Sequence, residues 1–368
     1  MVNSLKFAHS RRCVPQENHR HASRGQLTVV FVLLLLLANA AQADVGATRW
    51  VGSWASAQQL VEPGNSLAPE QLRDATLRQI VHLTLGGGTI RLRLSNRFGS
   101  TPLHLTAVHI ARPVSTRSDR IVPGTDEALS FSGSPDVTIP AHADYLSDPV
   151  AFPVNALSDL AITLHIDAPP VEQTGHPGSR ATSYLVHGNA VSAPELPGAK
   201  KIEHWYFIAG VDIAASPDAK AVAILGDSIT DGHAATTDGN DRWPDAFAGR
   251  LEAQASTREV AVLNLGIGGN RLLTDGLGPN ALARFDHDVI AEPGVRYLIV
   301  LEGTNDIGML ARNAEVSRDE HDGLVHRIIG AYEQIIARAH TDGVTVIGGT
   351  LLPFVGSDFY HPGPASEA

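Results

Sequence analysis

Two hydrophobic periodicities divide the chain near residue 215. Upstream, short runs alternate apolar and polar residues between Pro- and Gly-rich gaps. In Thr89–Asn96, Ile90, Leu92 and Leu94 fall on one face, and Arg91, Arg93 and Ser95 on the other. This run and Leu77–Leu85 flank Gly86-Gly87-Gly88, a pattern that predicts a β-hairpin. Further strands are expected at Leu103–Ile110, Asp136–Ile139, Asp159–Ile166, Thr182–Val186 and His204–Val211. Short strands at this spacing predict a β-sandwich or jelly roll.

Ala214-Ala215-Ser216-Pro217-Asp218 reads as a boundary. Beyond it, apolar runs alternate with segments of helical spacing. Strands are expected at Ala221–Leu225, Val260–Leu265, Tyr297–Leu301 and Val344–Leu351. Helices are expected at Arg242–Gln254 and Asn280–Ile290, and a third along Leu324, Ile328, Ile335 and Ala339. Wholly apolar strands between helices predict a doubly wound parallel sheet, with helices on both faces. Sites in such sheets lie beyond the carboxyl ends of the strands.

The first 43 residues have a different character. Lys6, Arg11, Arg12, Arg20 and Arg24 precede an unbroken apolar run, Val29 to Ala38, and then Ala41-Gln42-Ala43. The run is too short to span a bilayer, which takes roughly 18 residues or more. The pattern predicts a signal peptide cleaved near Ala43/Asp44, and hence a secreted or periplasmic protein. The expected organisation is therefore a leader over 1–43, a β-rich domain over 44–215 and a parallel-sheet domain over 216–368.

Composition narrows the function classes. The net charge is −11, and five of the 28 basic residues but one of the 39 acidic ones lie in the leader, which leaves −15. Nucleic-acid binding needs clustered cations and is not expected. Nor is attraction to anionic lipid or stable membrane insertion. The one cysteine, Cys13, falls in the leader, which argues against a disulfide scaffold or a Cys-based zinc cluster. No cofactor and no metal site is expected.

Three short motifs sit where the predicted parallel strands end. Gly226-Asp227-Ser228 places a serine at a strand-to-helix turn. On its own this is either a helix cap or a nucleophile awaiting a base. Asn264 to Arg271 carries Gly266, Gly268 and Gly269, which let backbone N–H groups approach a ligand. A tight strand–helix turn is the alternative there. Gly303-Thr304-Asn305-Asp306 offers a side-chain amide to a developing oxyanion, or else an ordinary Asn/Asp turn.

Taken together, in the order serine, glycine, asparagine, these motifs resemble the SGNH (GDSL) hydrolases over about 221–355. The phrases Arg242 to Asp245, Gly266 to Leu272 and Leu301 to Gly308 are similar to a secreted arylesterase/acylhydrolase branch with a β-rich domain before the hydrolase. The resemblance implies a flavodoxin-like sheet. It also implies Ser228 as nucleophile, with the Ser228 and Gly269 N–H groups and Asn305 as the oxyanion hole. Asp227 is expected to shape the turn rather than to react.

The family supplies its base from an Asp-x-x-His block before a final helix. Asp358-Phe359-Tyr360-His361 alone has that spacing, but it follows the fourth strand closely and only seven residues come after it. The chain is therefore expected to stop before the true block, without the family's last strand and helix. Its implied activity is hydrolysis of short acyl or acetyl esters, on small molecules or plant polysaccharide, through an acyl-serine. The alternative is an inactive chain that binds carbohydrate, with Trp50, Trp54 or Tyr145 as the platform. Oligomeric state is not readable.

Overall fold

The computed structural model describes residues 48–310, 312, 316–353 and 360. The expected leader, Asp358 and His361 lie outside the described residues. Upstream of residue 215 the alternating runs form antiparallel strands. One sheet has the order β1 (Trp50–Ala55), β15 (Ile208–Ala214), β4 (Gly87–Ser95) and β8 (Asp144–Leu146), with β9 (Val150–Val154) also paired to β4. A second runs β13 (Lys200–Ile202), β12 (Ser183–His187), β3 (Ala75–Leu83), β10 (Ser158–Ile166), β5 (Leu103–Ala111) and β6 (Glu127–Ala128), with β7 (Val137–Ile139) also on β5. A small third sheet holds β14 (Trp205–Tyr206), β11 (Thr174–His176) and β2 (Gln59–Leu60). A one-turn helix, α1 (Pro69–Leu72), precedes β3.

The apolar faces of the two large sheets meet. Ile90, Leu92 and Leu94 of β4 share one buried cluster with Leu77 and Val81 of β3 and Leu160, Ile162 and Leu164 of β10. That contact corrects the hairpin expectation. β3 pairs with β10 and β12, whereas β4 pairs with β15, β8 and β9. Gly86-Gly87-Gly88 carries the chain across the core from one sheet to the other. Both runs need the same core, and each reaches it from its own side. The crossing is tight: a Cβ on Gly86 would lie 2.7 Å from the Ala156 backbone nitrogen.

The polar face of β4 is covered rather than solvated. Arg91 pairs with Asp212 at 2.8 Å, Arg93 with Glu292 at 2.5 Å, and Ser95 is fully buried. Glu292 belongs to the parallel-sheet half, so this face is a contact between the halves.

The second half is a four-stranded parallel sheet of order β17 (Val260–Gly266), β16 (Lys220–Gly226), β18 (Val295–Leu301) and β19 (Thr345–Gly348). On one face, α3 (Trp243–Glu252) packs Ala248, Phe247 and Leu251 against Val222, Ile224 and Val262. On the other lie α4 (Ala281–Phe285) and α6 (Arg318–Thr341), whose buried stripe is Leu324, Ile328, Ala331, Ile335 and Ala339. Ser317 opens α6 with a capping box to Glu320. The helix expected over 280–290 is α4 followed by a π-helical turn at Asp286–Ile290. Val51, Ala55, Ala57 and Leu85 of the β-rich half join the second face's cluster. Val262 donates its N–H to Thr84 Oγ1 at 3.0 Å, so the β17 edge is partly satisfied by the other half. The chain goes from β16 to β17 on one side and returns to β18 on the other, which puts the crevice at the end of β16.

Candidate active site

β16 ends at Gly226, and the chain turns at once into the one-turn helix α2 (Ser228–Asp231). The Asp227 carboxylate caps this helix by accepting the Ile229 N–H at 2.9 Å. Asp227 therefore shapes the turn, and Ser228 opens the helix half-buried. The strand ends come very close here. A Cβ on Gly266 would lie 2.3 Å from the Asp231 backbone nitrogen, so only glycine fits where β17 passes α2.

After β17, Gly269 takes a left-handed conformation, φ +71°. The turn is fastened to α2 at two points. Gly268 N–H donates to Asp231 Oδ2 at 2.8 Å, and Asn264 Nδ2 donates to the Thr230 carbonyl at 2.9 Å.

Asn305 lies in the first turn of α5 (Thr304–Leu310), directly after β18, and is buried. Its Nδ2 donates to the Asn270 carbonyl at 2.7 Å and lies 3.5 Å from Asp227 Oδ2. Tyr360 donates its hydroxyl to Asn305 Oδ1 at 2.5 Å, which fixes which end of the amide faces which way. Asp306 accepts the N–H groups of Leu272 and Leu273 at 2.8 and 3.1 Å. Ser228, Gly269 and Asn305 are thus carried by three segments joined through side chains.

Buried acids surround this junction. Burial pushes the Asp227 carboxyl up to about 6, against the Ile229 N–H that favours its charge. Burial likewise raises Asp306. Glu302 is fully buried, neither carboxyl oxygen has a hydrogen-bond partner, and its pKa is pushed well above the usual range by desolvation and by Asp227.

Arg284, on α4, is fully buried beneath the same junction. It donates to Asn270 Oδ1 (3.0 Å), the Leu265 carbonyl (2.7 Å), Asp288 (3.0 Å) and the Gly226 carbonyl (3.2 Å). One guanidinium thus ties together the ends of β16 and β17 and the glycine turn. Asp288 also meets Arg97 at 3.3 Å and His287 at 2.8 Å, and His287 meets Asp144 of β8 at 2.7 Å. Between Asp286 and Asp288 on a predicted helix, His287 reads from sequence as part of a solvated face. The structure instead puts it between two carboxylates, one from each half.

Among the described residues, no histidine hydrogen-bonds the Ser228 hydroxyl. His233 is exposed, and His326 and His340 lie on the exposed side of α6. No group of three or more His, Cys, Asp or Glu among the described residues is arranged to hold a metal ion.

The family model described as the GDSL-like Lipase/Acylhydrolase family matches residues 224–368, the segment that carries all three motifs. That part of the chain is a GDSL-like lipase/acylhydrolase domain. The solved structure of AlinE4, an SGNH-hydrolase family esterase, is 14% identical over 36% of this chain and 60% of its own, with a TM-score of 0.28. A family two carbohydrate esterase from Cellvibrio japonicus is 13% identical over 85% of this chain and 82% of its own, with a TM-score of 0.27. LAE5, from the metagenome of Lake Arreo, is 21% identical over 35% of this chain and 59% of its own, with a TM-score of 0.26. The chain thus spans less than two thirds of the length of AlinE4 and LAE5. No curated protein matches it.

Sequence reasoning missed three residues of the hydrolase domain's site: Arg284, Asp231 and Glu302. Arg284 carries a weak signal, as a cation on the first predicted turns of an otherwise apolar helix. Asp231 lies within three residues of Ser228 but, without a partner in view, reads as a helix-end carboxylate.

Proposed function

We propose that the chain is a carboxylic-ester hydrolase acting through an acyl-serine at Ser228. The observation that carries this is the Asn305 amide, which spans the Ser228 turn and the Gly269 turn. One of its two N–H groups is taken by the Asn270 carbonyl. The other makes only a long contact, 3.5 Å, to Asp227 Oδ2, and would exchange it for an oxyanion beside the Gly269 and Ser228 N–H groups. Ser228 Oγ attacks the ester carbonyl and loses its proton to a base. The tetrahedral oxyanion collapses, the alcohol leaves, and water then cleaves the acyl-serine. The proposed substrates are short acyl or acetyl esters, including those on polysaccharide.

The full chain is expected to hydrolyse 4-nitrophenyl acetate. Ser228→Ala should lower the rate by about 10³-fold or more, and Asn305→Ala should lower kcat by about 10²–10³-fold. A parent without turnover, or a Ser228→Ala variant that keeps it, would sink the reading. His361→Ala, run beside them, tests the one histidine with the family's spacing. Export with cleavage near Ala43/Asp44 is part of the proposal. The mass of protein recovered outside the cytoplasm checks it, since retention of residues 1–43 there contradicts cleavage.

Carbohydrate binding by a platform of aromatic residues gains nothing from the fold. Trp54 is buried edge-on against Trp205 at 5.0 Å, Tyr145 packs on the sandwich core, and Arg91 lies over Trp50 at 4.5 Å.

A further inference from the structure

His176 belongs to the β-rich half, on β11, yet its ring reaches the hydrolase domain. It is 4% exposed and its partner Asp231 is 5% exposed. His176 Nε2 meets Asp231 Oδ1 at 2.8 Å, and Nδ1 meets the Ala57 carbonyl at 2.8 Å. Both nitrogens face oxygen, so the ring is held at both ends. The other carboxylate oxygen, Asp231 Oδ2, accepts the Gly268 N–H at 2.8 Å. The carboxylate is also wedged by backbone: a Cβ on Gly178 would lie 2.0 Å from Asp231 Oδ2. Asp231 is the last residue of the helix that Ser228 opens.

We propose that His176 is a positioning residue, a strut that sets the Gly268-Gly269 turn against the Ser228 helix by way of Asp231. The β-rich half is then part of the site's framework rather than an attachment to it. The physical ground is geometric. An oxyanion donor is useful only when it is held in place before charge develops, and a displacement of about 1 Å can cost about 10²-fold in rate. Gly269 has no side chain of its own to hold it, and the neighbouring Gly268 N–H is fixed by a carboxylate that His176 in turn orients.

This inference rests on the esterase reading for its consequence in catalysis, but its geometry is tested without turnover. The experiment is hydrogen–deuterium exchange with mass spectrometry on the full chain and on His176→Ala, His176→Gln and Asp231→Asn. Exchange in the peptide spanning 264–272 should speed about tenfold in His176→Ala and Asp231→Asn, while strand β10 keeps its protection. His176→Gln keeps one donor and should be intermediate. Unchanged exchange at 264–272 in the folded variants overturns the proposal. So does a uniform rise over the whole chain, which a merely stabilising residue would give. If His176→Ala does not fold, the Gln and Asn variants carry the same test. Where the parent hydrolyses 4-nitrophenyl acetate, His176→Ala should lower kcat about tenfold and leave KM within about twofold. A raised KM with kcat intact overturns it. A parent without turnover counts against the esterase reading alone, and the exchange result still decides the strut.

Discussion

The two halves bury charge differently. In the β-rich half, Arg78 is fully buried, and burial lowers its pKa. Its donors are nevertheless used: Nε on Thr163 Oγ1, Nη1 on the Asp119 carbonyl, and Nη2 on the carbonyls of Val191 and Ala193. In the hydrolase half, Glu302 is equally buried and both of its oxygens lack a hydrogen bond. The nearest cation, Arg284, is 3.6 Å away. A satisfied buried ion holds loops together. Glu302 without a hydrogen bond, beside two further buried acids with raised pKa values, Asp227 and Asp306, at the ends of parallel strands is where a site is to be sought. The contrast supports the proposal that the chemistry lies in the second half, on grounds other than the motifs.

Arg284 offers the strongest test of that contrast, because it behaves like Arg78 inside the acidic half. Arg284→Ala leaves buried Asp288 without the guanidinium at 3.0 Å and frees two strand-end carbonyls. It should destabilise the protein by roughly 3–5 kcal/mol, read by urea unfolding. A loss below about 1 kcal/mol would show that the strand ends hold without it.

His287 sharpens the comparison at the contact between the halves. Burial alone lowers its pKa, but hydrogen bonds to Asp144 and Asp288 outweigh that and push it up to about 9. A raised histidine stabilises fully below its unfolded value, about 6.5, and that contribution is lost as pH rises through about 9. Unfolding curves between pH 6.5 and 9 should therefore show the parent losing on the order of 2 kcal/mol relative to His287→Gln, after allowance for partial exposure. Parallel curves for the two proteins would remove His287 from the contact's energetics.

The smallest expected effect is that of Glu302→Gln. A carboxyl whose pKa is raised by burial loses stability for the fold as pH climbs above its unfolded value. Gln carries no such charge. At pH 7 the variant should match or slightly exceed the parent, within about 1 kcal/mol, with a flatter stability–pH slope above pH 5. A large loss at pH 7 would mean that Glu302 is ionised and paired with Arg284, so that the two halves handle buried charge alike.

What was legible in the sequence follows from the range of the interactions. The strands of the parallel sheet were read to within a few residues, because such strands are apolar along most of their length; β16 and β17 are buried for nearly all of it, whereas β19 is largely exposed. α6 was legible from a single stripe. The turns at Ser228, Gly269 and Asn305 were found because a strand end, a glycine and a short polar residue are neighbours in sequence. The hairpin expectation at Gly86–Gly88 failed because alternation specifies a face but not a partner. Two strands that turn their apolar faces to one core give the same pattern whether side by side or opposed.

The sequence by itself determined the alternation in each strand, the change of period near residue 215 and the three motifs of the hydrolase domain. All of these are encoded within a few residues and set by backbone geometry. Only the tertiary structure decided that β3 and β4 face each other, that the polar side of β4 meets Glu292, and that Arg284, His287 and His176 gather around the strand ends. His176 is 55 residues from Asp231, and Arg284 is 58 from Gly226. Such partners are chosen by desolvation: once the halves close on each other, a buried charge must find an opposite charge or a carbonyl, and no local pattern states which one.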